Sequence, residues 1–240
     1  MRYFLETAYD GANYGGFQIQ ENATTVQGEI EKVLEQFYRQ KINLTGSSRT
    51  DAGVHALQNF FHFDSEIIIQ EKQVYNLNAM LPDDIVIKKI FLVDDEAHSR
   101  FDAVSRTYNY FIYHTKNPFL KDHAWFYPYP LNIDLLTQAA EMIKTYIDFT
   151  SFSKKNTQAK TKFCTIQECF WEQKGEQLVF TVTANRFLRG MVRGLVGTML
   201  HVGRSKISLE QFRQIIEAKD CSKADFTTPA HGLFLVKVHF

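Results

Sequence analysis

The chain has 240 residues, 45% hydrophobic and 22% charged, a balance that excludes a disordered segment and allows one large domain or two small ones. Its 27 basic and 27 acidic residues cancel, so net charge alone signals no polyanionic partner. Three cysteines make no disulfide framework, no apolar run reaches the length of a membrane span, and the start Met1-Arg2-Tyr3-Phe4-Leu5-Glu6 is charged too early for a signal peptide. These features point to a reduced, cytoplasmic chain.

A strand is expected over Arg2–Tyr9, followed by a glycine-punctuated loop from Asp10 to Phe17. Thr24-x-x-Gln27 resembles a capping box, and Val26, Ile30, Val33, Leu34 and Phe37 recur at helical spacing. Ile42–Ser48 and Leu57–Asp64 read as paired strands, Gln70–Met80 as a helix ended by Pro82, and Asp84–Val93 as a further strand. In the second half, Arg106–Thr115 is a strand with Tyr108, Tyr110 and Ile112 on one face. Asn132–Ile147 reads as a helix, and Phe163–Trp171 with Gln177–Ala184 as a hairpin around Lys174-Gly175. Phe187–Val202 reads as a helix carrying basic residues, Ser208-x-x-Gln211 caps another, and Leu233–Phe240 closes the chain as a strand.

Both halves therefore run β-α-β-β-α-β. The expected fold is α+β, with two ferredoxin-like units at 1–103 and 104–240 that share an extended antiparallel sheet with a central cleft. Cys164 and Cys169 are expected on opposite faces of a strand, which argues against a shared metal, and no His-Glu-x-x-His, Cys-x-x-Cys or P-loop pattern occurs. Local charge is uneven. Between Gln177 and Leu209 there is no acidic residue, yet Arg186, Arg189, Arg193, Arg204 and Lys206 fall there. Lys154, Lys155, Lys160 and Lys162 form a second acid-free group. Segregated basic stretches can present a positive face to a polyanion, or can be merely solvated.

The most informative run is Gly46-Ser47-Ser48-Arg49-Thr50-Asp51-Ala52-Gly53-Val54-His55-Ala56. In an extended segment, side chains two apart share a face, so Arg49 and Asp51 could pair and the guanidinium would keep the carboxylate ionised as a nucleophile or base. The same residues also fit a turn-capping aspartate in a surface ion pair of small energetic value. A hydrolase pairing Asp51 with His55 is a further reading, although four polar residues crowded into one turn cannot easily build a triad.

The run Arg49-Thr50-Asp51-Ala52-Gly53-Val54-His55-Ala56 resembles the active-site signature of the tRNA pseudouridine synthase A family. The resemblance spans nearly the whole chain. It includes Tyr9-Asp10-Gly11, Gly16-Phe17-Gln18, Asn78-Ala79-Met80-Leu81-Pro82 and His98-Ser99-Arg100-Phe101-Asp102-Ala103. It continues through Ser105-Arg106-Thr107-Tyr108, Asp148-Phe149-Thr150-Ser151-Phe152, Asn185–Arg193 and Pro229-Ala230-His231-Gly232-Leu233. Two departures stand out: Ser48 where many members carry Gly, and Phe17 where many carry Trp, which keeps a stacking face but loses the indole donor.

The resemblance implies an isomerase that converts uridine to pseudouridine in tRNA, without cofactor or metal, in the anticodon stem-loop, typically at positions 38 to 40. It implies Asp51 as the nucleophile, at the sugar C1′ or the uracil C6, and Arg49 as its partner and an aid to displacing the target nucleotide. Tyr108 matches the tyrosine that stacks on the flipped uracil, and Arg193 is expected near the catalytic aspartate. Arg186 and Arg189 are expected phosphate contacts. Family members are generally homodimers, so a homodimer is expected. A catalytically silent RNA-binding module, using its sheet as an aromatic platform, is the alternative.

Overall fold

The structure, a computed structural model, describes residues 1–155 and 159–240. These residues cluster into two compact units, Met1–Val104 with Phe234–Phe240, and Ser105–Leu233. A division at 103/104 leaves the closing strand in the second half; in the structure that strand clusters with the first unit.

In the first unit, β1 (Arg2–Tyr9) lies between β3 (His55–Asp64) and β4 (Ile85–Val93), antiparallel to both. The stub β2 (Thr45–Gly46) pairs antiparallel with β3. The closing strand β9 (Leu233–His239) runs parallel to β3, with His55 opposite Phe234. The sheet is thus mixed rather than wholly antiparallel. Tight connections force antiparallel neighbours, but β9 returns after a long excursion and no turn dictates its direction.

Helix α1 (Val26–Tyr38) forms where the apolar spacing requires it and buries Val26, Ile30, Val33 and Leu34, each worth about 1.5–3 kcal/mol when removed from water. Its cap is Thr25, whose hydroxyl accepts from Gly28 N, rather than Thr24. The helix expected over Gln70–Met80 is shorter. A single 3-10 turn at Glu71–Gln73 leads into α2 (Val74–Asn78), because only Leu77 of α2 finds a buried position. The core between these elements is aromatic, with Phe17 stacked on Phe61 at 4.5 Å and Tyr3 on Phe63 at 5.7 Å.

In the second unit, β5 (Ser105–Tyr113), β8 (Gln177–Ala184) and β7 (Ile166–Lys174) form an antiparallel sheet in that order. The two-residue β6 (Trp125–Phe126) runs parallel along β5. Asn132 caps α3 (Ile133–Ile143), which ends four residues before the expected Ile147, and Ser208 closes a capping box on α5 (Leu209–Glu217), as the sequence predicts. Helix α4 is Met191–Gly203, starting four residues later than expected after Gly190 at φ +73°. It is buried along nearly its whole length, so Arg186 and Arg189 belong to the loop before it and only Arg193 rides on its first turn. Cys169 sits on β7 while Cys164 precedes that strand; burial pushes the Cys164 thiol up to about 11 and the Cys169 thiol up as well.

Candidate active site

The Asp51 loop is held by a buried polar network at the end of β1. Tyr9 Oη lies 2.8 Å from Thr50 Oγ1, and Asn59 Nδ2 donates both to Tyr9 Oη at 3.2 Å and to Ser48 O at 2.9 Å. Either hydroxyl can donate across the Tyr9–Thr50 contact, and the Asn59 amide supplies a further donor to the phenol oxygen. Asn59 Oδ1 accepts from Phe60 N at 2.9 Å, so this fully buried amide is satisfied on both sides. Burial pushes the Tyr9 phenol well above its ordinary range, which keeps it a neutral donor. The β1–β3 register shifts between Thr7 and Tyr9, an irregularity that re-aims side chains at this end of the strand.

The backbone is clamped on both sides of Asp51. Phe17 N donates to Thr50 O at 3.1 Å, and Val54 N donates to Asp51 O at 3.2 Å, closing a turn over Asp51-Ala52-Gly53-Val54. Gly53 has φ +74° at the third position of that turn, a conformation that glycine adopts without strain. Gly11 supports the turn from outside, since a Cβ there would stand 2.0 Å from Val54 O. Asp51 itself is half-buried between buried Thr50 and buried Val54.

Arg49 does not pair with Asp51: among the described residues no ion pair joins them. The segment after Gly46 leaves the ladder and then turns, so the alternation that would bring the two side chains to one face is lost. Arg49 is exposed and lines a cavity of about 210 Å³ together with Phe17, Gln18, His98, Arg100 and Phe101. His55 is not placed as a catalytic base beside Asp51. It is 1% exposed, stacks on Phe234 at 4.4 Å, and its Nδ1 lies 2.9 Å from Asp10 Oδ1 and 3.1 Å from Gly11 N. This removes the hydrolase arrangement and makes His55 a packing residue that ties the Asp10-Gly11 loop to β3.

In the second unit, Tyr108 is a buried residue of β5, with its ring edge-on to Phe187 at 4.9 Å. Arg193 is half-buried, and its Nε donates to Thr228 O at 2.6 Å, which holds the guanidinium against the 225–229 loop. Arg186 is partly exposed with Nη1 3.4 Å from Thr161 Oγ1, and Arg189 is exposed. Tyr9, Thr50 and Asn59 are the residues that sequence reading assigned no role. Tyr9 and Thr50 stand in the sequence only as members of longer motifs, and Asn59 lies on a strand where nothing local marks it as a partner of the loop.

The chain's match to known proteins covers both units. A family model described as tRNA pseudouridine synthase matches residues 7–102 and 145–240. The chain belongs to this family, and it is an isomerase of the pseudouridine synthase class acting on tRNA. Among its relatives are proteins named tRNA pseudouridine synthase A. That of Parabacteroides distasonis is 46% identical, with 100% of this chain and 96% of the relative covered. That of Bacteroides thetaiotaomicron is 44% identical over 100% of this chain and 90% of the relative, and that of Bacillus subtilis is 40% identical over 100% and 99%. Among the described residues no helix is long and apolar enough to cross a membrane.

Proposed function

We propose that this chain forms pseudouridine in the anticodon stem-loop of tRNA, typically at positions 38 to 40, with Asp51 as the nucleophile. The observation that carries this reading is the clamped Asp51 turn, in a chain whose family match spans both units. The chemistry breaks the C1′–N1 bond of uridine, turns the uracil, and makes a C1′–C5 bond, with the C5 hydrogen leaving as a proton. A carboxylate that adds to C1′ or to C6 and departs again is sufficient for this, and a half-buried aspartate on a rigid turn is suited to it.

The target base must leave its stack to be reached, at a cost of a few kcal/mol. Arg49, exposed beside the Asp51 turn, is assigned to displace the nucleotide. Tyr108 is assigned to stack on the uracil and Arg193 to contact the substrate, while Arg186 and Arg189 neutralise phosphates. We also read each unit as ferredoxin-like. The strand order β4-β1-β3-β2 with intervening helices in the first unit supports that reading. The protein is expected to act in the cytoplasm as a homodimer.

The test is release of tritium from tRNA labelled at uridine C5, with the products mapped by position. Stoichiometric release with pseudouridine in the anticodon stem-loop is expected. Binding of folded tRNA without any release would instead establish a silent RNA-binding module.

A further inference from the structure

The cavity at Arg49 has a chemistry that the Asp51 turn does not use. Arg49, Arg100 and His98 bring two guanidiniums and an imidazole to its lining, Gln18 adds a carboxamide, and among the described residues that line it there is no carboxylate. Phe101 borders it with 74% of its surface exposed. The Arg100 guanidinium lies 5.7 Å from the Phe101 ring centre, and the His98 ring 4.2 Å from it. A flat ring in water, flanked by a guanidinium, offers one face for stacking and a cation for an anion beside it.

This edge is built rather than loose. Ser99 is fully buried, its Oγ donates to Thr45 O at 3.1 Å, and its N donates to His62 Nδ1 at 3.3 Å. His98 N donates to Asp102 Oδ2 at 2.7 Å, and Asp102 N returns a bond to His98 O at 3.0 Å. His98 Nδ1 accepts from Arg100 N at 3.1 Å and Phe101 N at 3.3 Å, which leaves Nε2 to carry the ring proton as a donor. The His98 ring packs against His62 at 4.4 Å, so tilted ring contacts run from the buried interior out to Phe101. Side chains that would ordinarily sweep solvent are thus presented from a short segment fixed at both ends, which lowers the ordering cost of binding.

We propose that this cavity is a nucleotide subsite for the tRNA strand next to the target uridine, where a base stacks on Phe101 and the adjoining phosphate is held by Arg100. The inference rests on the tRNA isomerase reading and adds a contact that neither Asp51 nor the basic loop of the second unit supplies. Guanidinium groups beside an exposed aromatic ring are the complement of a stacked base with its phosphodiester. The cavity is tied to the Asp51 turn through Arg49, which lines it and stands two residues before Asp51 in the chain.

The experiment measures tRNA binding and turnover by the full chain carrying Phe101→Ala, Phe101→Trp or Arg100→Ala. Phe101→Ala should weaken tRNA binding about five-fold or more, and should raise KM more than it lowers kcat. Phe101→Trp should restore binding, because the stacking face returns. Arg100→Ala should weaken binding and reduce the slope of log K against log salt by about 1, a change that Phe101→Ala should not produce. Binding within two-fold of the parent protein for both alanine variants, at any salt, overturns the subsite. So does a Phe101→Trp variant as weak as Phe101→Ala. Phe101 and Arg100 are exposed, so thermal unfolding should be unchanged in each variant. If the parent chain itself forms no pseudouridine, the functional reading fails; if it does and the variants bind normally, only the subsite fails.

Discussion

The Tyr9 hydroxyl lies 2.8 Å from the Thr50 hydroxyl, one residue before Asp51 in the chain. This bond links the end of β1 to the Asp51 turn, and Asn59 on β3 completes it from the other side by donating to both Tyr9 Oη and Ser48 O. Buried side chains from β1, β3 and the loop itself therefore fix the backbone just before Asp51.

Tyr9→Phe is expected to cost about 1–2 kcal/mol of stability, because the Thr50 hydroxyl and one Asn59 N–H lose a buried partner. The Asp51 turn should loosen, and kcat should fall about ten-fold with tRNA binding little changed. Urea unfolding and single-turnover pseudouridine formation check the two halves of this expectation. Equal losses in binding and in turnover would contradict a positioning role.

Asp51→Asn should reduce turnover by on the order of 10⁴-fold or more, since a carboxamide is isosteric but not nucleophilic. Affinity for tRNA, measured by filter binding, should stay within a few fold. Retained turnover would transfer the nucleophilic role to another group.

Gly11→Ala places a Cβ where Val54 O stands at 2.0 Å, so the backbone of one loop must move. A destabilisation of about 3 kcal/mol is expected, within the range of severe overpacking. The displaced Val54 should also disturb the Asp51 turn, which it closes by its N–H. Thermal unfolding and activity measured together should fall in parallel.

His62 predicts a specific acid sensitivity. Burial, then the neighbouring His98 and Arg2, push its imidazole down to about 4, against an ordinary value near 6.5. Between those values the unfolded chain binds more protons than the folded one, so stability rises with pH across the window and is lost as pH falls from about 6.5 toward about 4. Between pH 7.5 and pH 5 the loss from this group should be about 2 kcal/mol. Urea midpoints at pH 7.5 and pH 5 should differ less in His62→Gln than in the parent protein. The lowered carboxyls of Asp64, Asp148 and Asp225 act further into the acid range and do not mimic this effect.

Arg186→Ala and Arg189→Ala should each weaken tRNA binding several-fold and each reduce the salt slope by about 1, as expected for a lost phosphate contact. Turnover at saturating tRNA should change much less than KM. A salt slope identical to that of the parent chain would remove these residues from the RNA-contacting set.

By itself the sequence determined most of the elements and, through its ordered motifs, the family. Apolar residues at Val26, Ile30, Val33 and Leu34, alternation along β5, and Ser208 with Gln211 are local signals, and local backbone geometry follows from them. The ordered motifs around Asp51 identified the chemistry without any coordinates. Tertiary structure decided the partners. That Asn59 reaches Ser48 and Tyr9, that β9 lies parallel to β3, and that Arg49 lines the cavity bordered by Phe101 instead of pairing with Asp51 are all non-local outcomes. Periodicity reports which face of an element is buried, but not which distant residue meets it there. The Arg49–Asp51 pairing assumed an extended backbone through a segment that the clamp on Thr50 and the turn at Gly53 bend away, and only long-range hydrogen bonds could impose that bend.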